Sequence, residues 1–390
     1  MHFPRSLLCG AALWSAGLLP ATEKMADGVY AEFTTPRGTF VVELHHREAP
    51  MTVASFVGRA EGTIAPRNGQ PFFTGLKWYR VVPGFVIQSG DPVRSAAAPG
   101  AELGDADDAA GHPFTFPDEF GPGLRHATAG VLSMANGGPD TNSSEFFVTL
   151  GDCTRLNYLH SVFGQVFTGL EVLSKIEPND AFSIRILRVG EAGRAFQADE
   201  AAFLALAARA KKFSGAPEPG PAAHFDDPDK LLPVDPPRAK NFSFKLANFE
   251  RATGLKLVAR LFARSPTAEE DQVPGAYMRA LAEKLGVARH GVFAAYFADE
   301  DDWRLWIGDE LTAPFLGRPV TAGDLGEGAA LHQAKEALFA QAGVLAKQYT
   351  EQARKLRDAD HPILPADLVK YSTDALLDTL LLQFEPARRP

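Results

Sequence analysis

Seven prolines crowd residues 214–240, and no other feature restricts this chain as sharply. Each proline fixes its own φ and lacks an amide hydrogen, so the stretch forms neither a continuous helix nor a central strand. It is expected to be a stiff, extended linker and a domain boundary. The 390 residues around it allow two or three domains. At 45% hydrophobic and 22% charged residues each domain can bury a core, which excludes a wholly disordered or collagen-like protein. The net charge of −9 argues against a general nucleic-acid binder, which needs clustered cations. Two cysteines, Cys9 and Cys153, are too few for a four-cysteine zinc site or a disulfide scaffold.

The first 21 residues have a basic start and a short apolar run ending near Ala21, the pattern of a secretory signal peptide. Export to the periplasm or full secretion is the expectation, with Cys153 as the single thiol of the mature chain. From Val29 onward short apolar runs alternate with Gly and Pro. Strands are expected at 29–35, 39–44, 76–88, 130–135, 146–150, 162–166 and 183–189, with helices at 49–62 and 170–176. That pattern suggests a β-barrel with helical caps. A helix is expected at 197–213. Beyond the prolines, helices at 244–253 and 275–285 alternate with strands at 255–263, 291–298 and 303–307, followed by long helices at 329–358 and 366–384. This alternation indicates an α/β or α+β domain.

Three blocks carry the densest chemistry. WYRVVPGFVIQSGDP covers 78–92, GVLSMANGGPDTNSSEFF covers 130–147, and Leu156 runs through His160 to Val162-Phe163-Gly164. In order and spacing they resemble the signature blocks of cyclophilin-type peptidyl-prolyl cis/trans isomerases, over about 28–191. The resemblance implies an eight-stranded antiparallel β-barrel with two capping helices and a site on its outer face. It assigns Arg80 as catalytic arginine, and Phe85, Val86, Phe147 and Leu156 as walls of the proline pocket. Gln88 positions the arginine and a substrate carbonyl, the Asn136 backbone aligns the residue before proline, and His160 stands at the rim. Ala135, Gly137 and Ser144 fall at the substrate-binding positions nearby.

These residue types suit the reaction. Rotation about an X-Pro bond faces a barrier of about 18–20 kcal/mol from amide resonance. No bond breaks, so no metal or cofactor is needed. A ring pocket and a donor that favours the pyramidal nitrogen of the twisted amide suffice. Three departures from the family pattern bear on activity. Glu145 stands where glutamine is usual, and can pair with Arg80, compete with substrate carbonyls or favour basic peptides. Arg155 replaces a large aromatic residue associated with cyclosporin binding, so weak drug sensitivity is expected. Val86, smaller than the usual methionine, loosens the pocket.

In the remainder, FERATGLKLV at 249–258, HGVFAAYF at 290–297 and RLWIG at 304–308 resemble a divergent TPM domain over about 240–357. That family's resemblance implies an α/β sandwich, often exported or membrane-associated, with phosphatase activity claimed for some members. The acids at 299–302 join two strands and read mainly as a solvated turn, as do those at 105–108. His45-His46 lacks a second ligand pair, so no metal site is expected. The leucines of 376–382 are interrupted by Asp378 and suit packing better than a membrane.

The resulting organisation is a signal peptide over 1–21, an isomerase domain over 28–191, a helix plus proline-rich linker over 192–240, and a TPM-like α/β domain with C-terminal helices over 241–390. The expected activity is isomerisation of X-Pro bonds in unfolded protein segments, by a monomer that assists folding. The alternative is a non-catalytic envelope scaffold that holds proline-containing peptides in the same groove. Neither reading involves nucleic acid, and membrane association is left open.

Overall fold

The structure, a computed structural model, describes residues 25–97, 115–233, 238–326, 328–356 and 362–387. The leader, Cys9 and the acids at 105–108 lie outside the described residues.

The chain begins with the hairpin β1 (Gly28–Thr35) and β2 (Gly38–Leu44), in register from Val29↔Leu44 to Thr35↔Gly38. Helix α1 (Pro50–Glu61) follows, with proline in its first turn and Gly62 closing it at φ 80°. Both residues act as the sequence requires, since proline costs nothing at a helix start and glycine accepts the left-handed cap. The expected strand at 76–88 is instead a second hairpin, β3 (Arg80–Val82) and β4 (Val86–Ser89). Pro83 and Gly84 break the apolar run. Gly84 takes φ 70° and the Phe85 amide donates to the Val82 carbonyl at 3.0 Å.

Next come α2 (Pro92–Ala96), β5 (Val131–Met134), β6 (Phe146–Thr149), a 3-10 turn at Thr154–Leu156, β7 (Val162–Thr168), α3 (Leu170–Leu173) and β8 (Ser183–Val189). The eight strands form one antiparallel sheet in the order β3-β4-β6-β5-β7-β2-β1-β8. Its two edges meet through the bridge Lys77↔Ala181, with the Trp78 amide donating to the Asp180 carbonyl at 3.0 Å. Inside, fully buried Phe33, Phe40, Phe146 and Trp78 interlock, with Phe33 and Phe40 stacked 4.8 Å apart.

After the short α4 (Gly190–Ala195), the helix expected at 197–213 is confined to α5 (Glu200–Ala207), capped by the Asp199 carboxylate. The proline stretch is not extended linker throughout. Phe225–Asp226 form β9, the edge of a second sheet, and Phe225 is fully buried. An edge position tolerates nearby prolines because one side of the strand needs no amide donors.

That second sheet has the order β12-β11-β10-β9, built from β10 (Lys256–Phe262), β11 (Gly291–Phe297) and β12 (Asp302–Ile307). Strand β10 runs parallel to β9 and β11, and β12 is antiparallel to β11. Strand alternation divides the packing. Leu257, Ala259 and Leu261 of β10 face one core with α6 (Arg238–Thr253) and α10 (Pro365–Phe384), whereas Val258 faces α7 (Ala276–Lys284). Between these lie the short α8 (Thr312–Leu316) and the long α9 (Ala330–Leu356). Leu376, Leu377, Leu380 and Leu381 are buried in the first core, the packing role expected for that stretch. Among the described residues no helix is long and apolar enough to cross a membrane.

The barrel packs against the second core. Tyr158, just past the 3-10 turn, is buried among Phe249 and its neighbours, with ring centroids 5.1 Å apart. The Asn248 side chain donates to the Tyr158 carbonyl at 2.8 Å. Arg251 of α6 binds Asp140 at 2.6 Å and Asp118 at 3.3 Å.

Candidate active site

The β3/β4 hairpin places Arg80 directly opposite Gln88. The Arg80 guanidinium donates to Gln88 Oε1 at 2.9 Å and lies 5.8 Å from the Phe85 ring centroid. Arg155 approaches the same ring at 5.1 Å, so Phe85 is flanked by two guanidinium groups. Such contacts hold planar cations in place without neutralising them.

Beside Arg80 is a separate apolar cluster. Val86, Ala135, Phe147 and Cys153 are buried, and Phe85 and Leu156 close over them. Two histidines grip Phe147. His160 meets it edge-on at 5.5 Å and donates from Nδ1 to the Met134 carbonyl at 3.1 Å. His126, fully buried, stacks behind it at 5.8 Å and bonds Ser133 and Asn157. Burial lowers the His160 pKa to about 4 and that of His126 to about 3, so both rings are neutral near pH 7. Burial also pushes the Cys153 thiol up to about 12.

Asn136 turns its side chain into the protein, donating to the Leu159 carbonyl at 2.9 Å and to Asp118 at 3.3 Å. That anchors the backbone on which the sequence reading relied. The Gly137 amide donates to Thr141 Oγ1 at 2.9 Å. Ser144 is buried and donates to the Gly90 carbonyl at 2.8 Å. Gly90 sits at φ 102°, and a Cβ there would lie 2.2 Å from the Ser144 carbonyl oxygen, so only glycine fits.

Glu145 takes none of the contacts with Arg80 that its charge allowed, because Arg80 is directed at Gln88. The Glu145 carboxylate accepts from the Tyr79 hydroxyl, lies 3.5 Å from Gln88 Nε2 and 3.7 Å from Arg94 Nε. Burial, then Glu145, raises the Tyr79 pKa, so the phenol remains a donor. Thus Glu145 supports Gln88 from behind rather than facing the groove.

His126, Cys153 and Tyr79 join the site without being expected there from the sequence, and so does the opposite wall. Over Arg80 and Phe85 lies a cavity of about 400 Å³ whose far side is formed by Arg238 and Phe242 of α6 and Lys370 and Tyr371 of α10. Among the described residues no cluster of His, Cys, Asp or Glu is suited to hold a metal ion.

The family model described as Cyclophilin type peptidyl-prolyl cis-trans isomerase/CLD matches residues 30–191. The chain is 37% identical over 144 residues to peptidyl-prolyl cis-trans isomerase-like 1 of Aspergillus fumigatus, a match covering 37% of this chain and 79% of that protein. It is 38% identical over 143 residues to peptidyl-prolyl cis-trans isomerase A of Mycobacterium tuberculosis (strain H37Rv), covering 35% of this chain and 72% of the relative. A solved cyclophilin-type isomerase of Cryptosporidium parvum aligns with 24% identity and a TM-score of 0.33, over 42% of this chain and 98% of that one. An antiparallel eight-stranded sheet closed as a barrel, with an arginine beside an apolar pocket, is the arrangement this class shares. The chain belongs to the cyclophilin-type peptidyl-prolyl cis-trans isomerase family. Its reaction is rotation about X-Pro bonds.

Proposed function

We propose that Arg80 accelerates this rotation by donating to the prolyl nitrogen as the amide twists. The observation that carries this reading is the Arg80–Gln88 bond of 2.9 Å across the β3/β4 pair, beside the apolar cluster of Phe147 and Val86. The proline ring enters that cluster. In the planar amide the nitrogen lone pair is delocalised and accepts poorly, whereas in the twisted state it is localised and accepts well. A donor fixed in advance therefore favours the transition state over the ground state. Gln88 and Phe85 fix the guanidinium, and a fixed donor avoids reorganisation during the reaction.

The substrates are proline-containing segments of unfolded proteins, and the chain acts after export, a reading supported by the basic and apolar pattern of residues 1–21. Cell fractionation of the full chain checks the export. The region beyond the barrel is read as an accessory TPM-like domain, supported by its helix, Thr253-Gly254 turn and mixed sheet.

The mechanism is tested by the isomerisation of an Ala-Pro peptide with the full chain and with Arg80→Ala. Loss of one preorganised donor is expected to lower kcat/KM on the order of 100-fold. Unchanged turnover in a folded variant overturns the role given to Arg80.

A further inference from the structure

The cavity over Arg80 joins two parts of the chain. Arg80, Phe85, Arg155 and Leu156 come from the barrel, while Arg238, Asn241, Lys370 and Asp374 come from α6 and α10. Helix α10 packs directly on the 3-10 turn that carries Arg155 and Leu156. The wall is therefore continuous with the proline pocket.

Its charge is unbalanced. Four cations line the cavity against one carboxylate, Asp374. That carboxylate is already engaged, paired with Lys370 and 3.7 Å from buried Lys245. Arg80 bonds to neutral Gln88 and Arg155 rests on Phe85. Among the described residues no carboxylate forms an ion pair with Arg80, Arg155 or Arg238. Burial lowers the Lys370 pKa against the opposing pull of Asp374, and Arg238 and Arg155 add to the lowering, so these charges sense one another. A chain of net charge −9 thus concentrates uncompensated positive charge at one place, next to its reactive arginine.

We propose that this composite groove selects prolyl segments bearing a carboxylate next to the proline, with Arg155 and Arg238 as specificity-determining residues. The inference rests on the Arg80 site as the place of isomerisation. A glutamate or aspartate entering the cavity meets cations that water screens less than at an open surface. A lysine there adds a fifth positive charge. Discrimination by charge therefore acts by attraction and by repulsion together.

The test uses the full chain and matched peptides with glutamate, alanine or lysine immediately before or after the proline. Both kcat/KM and the dissociation constant are measured, the latter by competition, so that binding is read even without turnover. The glutamate peptide is expected to exceed the lysine peptide at least tenfold in one of the two positions. The ratio should shrink as salt rises from about 50 to 500 mM, as screening requires. Arg238→Glu should reduce the ratio at least fivefold. Asn241→Asp, a near-isosteric change in the same wall, should reduce it as well, and serves if Arg238→Glu fails to fold. A wild-type ratio near one in both rate and binding, or a ratio unaltered in both folded variants, overturns the proposal. Absence of turnover for every peptide, with charge-selective binding retained, overturns the Arg80 reading and leaves the selectivity standing.

Discussion

The Tyr158 hydroxyl donates to the Glu385 carboxylate, joining the turn beside the Val86–Phe147 apolar cluster to the residue that follows α10, 227 positions further along the chain. Arg125 binds the same carboxylate, whose side chain is only 3% exposed. Replacing Glu385 by alanine leaves a buried phenol and a guanidinium without their acceptor. A loss of about 2–3 kcal/mol in unfolding free energy is expected. Denaturant titration checks it, and a double-mutant cycle with Tyr158→Phe should return a favourable coupling energy. A coupling of zero contradicts the contact.

Lys245 is fully buried on α6 and holds Asp378 at 2.7 Å, while Tyr349 of α9 donates to the other oxygen of that carboxylate at 2.7 Å. Three helices thus meet at one ammonium–carboxylate pair. Lys245→Met should destabilise by about 3–5 kcal/mol, because burying an unpaired carboxylate is costly. Adding Asp378→Asn should recover part of that loss. The urea midpoints of the two variants decide between an essential pair and a replaceable one.

Gln88 is held from behind by Tyr79 at 3.2 Å and Glu145 at 3.5 Å and accepts from Arg80 at 2.9 Å, so the role proposed for it is orientation of the guanidinium. Gln88→Leu should lower kcat about tenfold with a smaller change in KM, since a free rotor donates less reliably than a fixed one. Gln88→Glu, which keeps the acceptor, should retain more activity than leucine. Equal KM and kcat losses in the leucine variant argue instead for a binding role.

Acid should weaken the fold through His126. In the unfolded chain a histidine titrates near 6.5, whereas burial holds His126 down at about 3. Between these values the unfolded state binds the extra proton, so stability is full above about pH 6.5 and falls as pH drops toward 3. The slope is on the order of 1 kcal/mol per pH unit for one group. Melting curves from pH 7 to pH 5 should show the decline, and His126→Gln should reduce it by about half, since His160, held at about 4, adds a similar slope. His160, held at about 4, is already neutral through the range above pH 5.5, so turnover should not follow a histidine titration there.

Much of the barrel and its groove was legible because turn residues and apolar spacing are local signals. Pro50, Gly62 and the 36–38 turn mark their elements within a few residues, and Arg80, Gln88, Phe147 and Leu156 sit in unbroken blocks. The apolar run of 76–88 hid its own turn, since eight hydrophobic residues outweighed Pro83-Gly84 in a strand reading. Strand β9 was concealed for the opposite reason, as two residues between Pro221 and Pro228 carry too little pattern to register. The far wall had no local signature. Arg238 and Lys370 look like ordinary helix-surface cations until α6 and α10 dock on the barrel.

The joint between Tyr158 and Glu385 also orders events in time. The barrel's last strand is complete at Val189, but the wall across its groove waits for Glu385, nearly two hundred residues later. At ~5–20 residues per second, synthesis separates the barrel's last strand from the residue that anchors the opposite wall by roughly 10–40 s. Until Glu385 is made, the cations of α6 and α10 lack this anchor, so the selectivity proposed for the groove belongs to the finished chain alone.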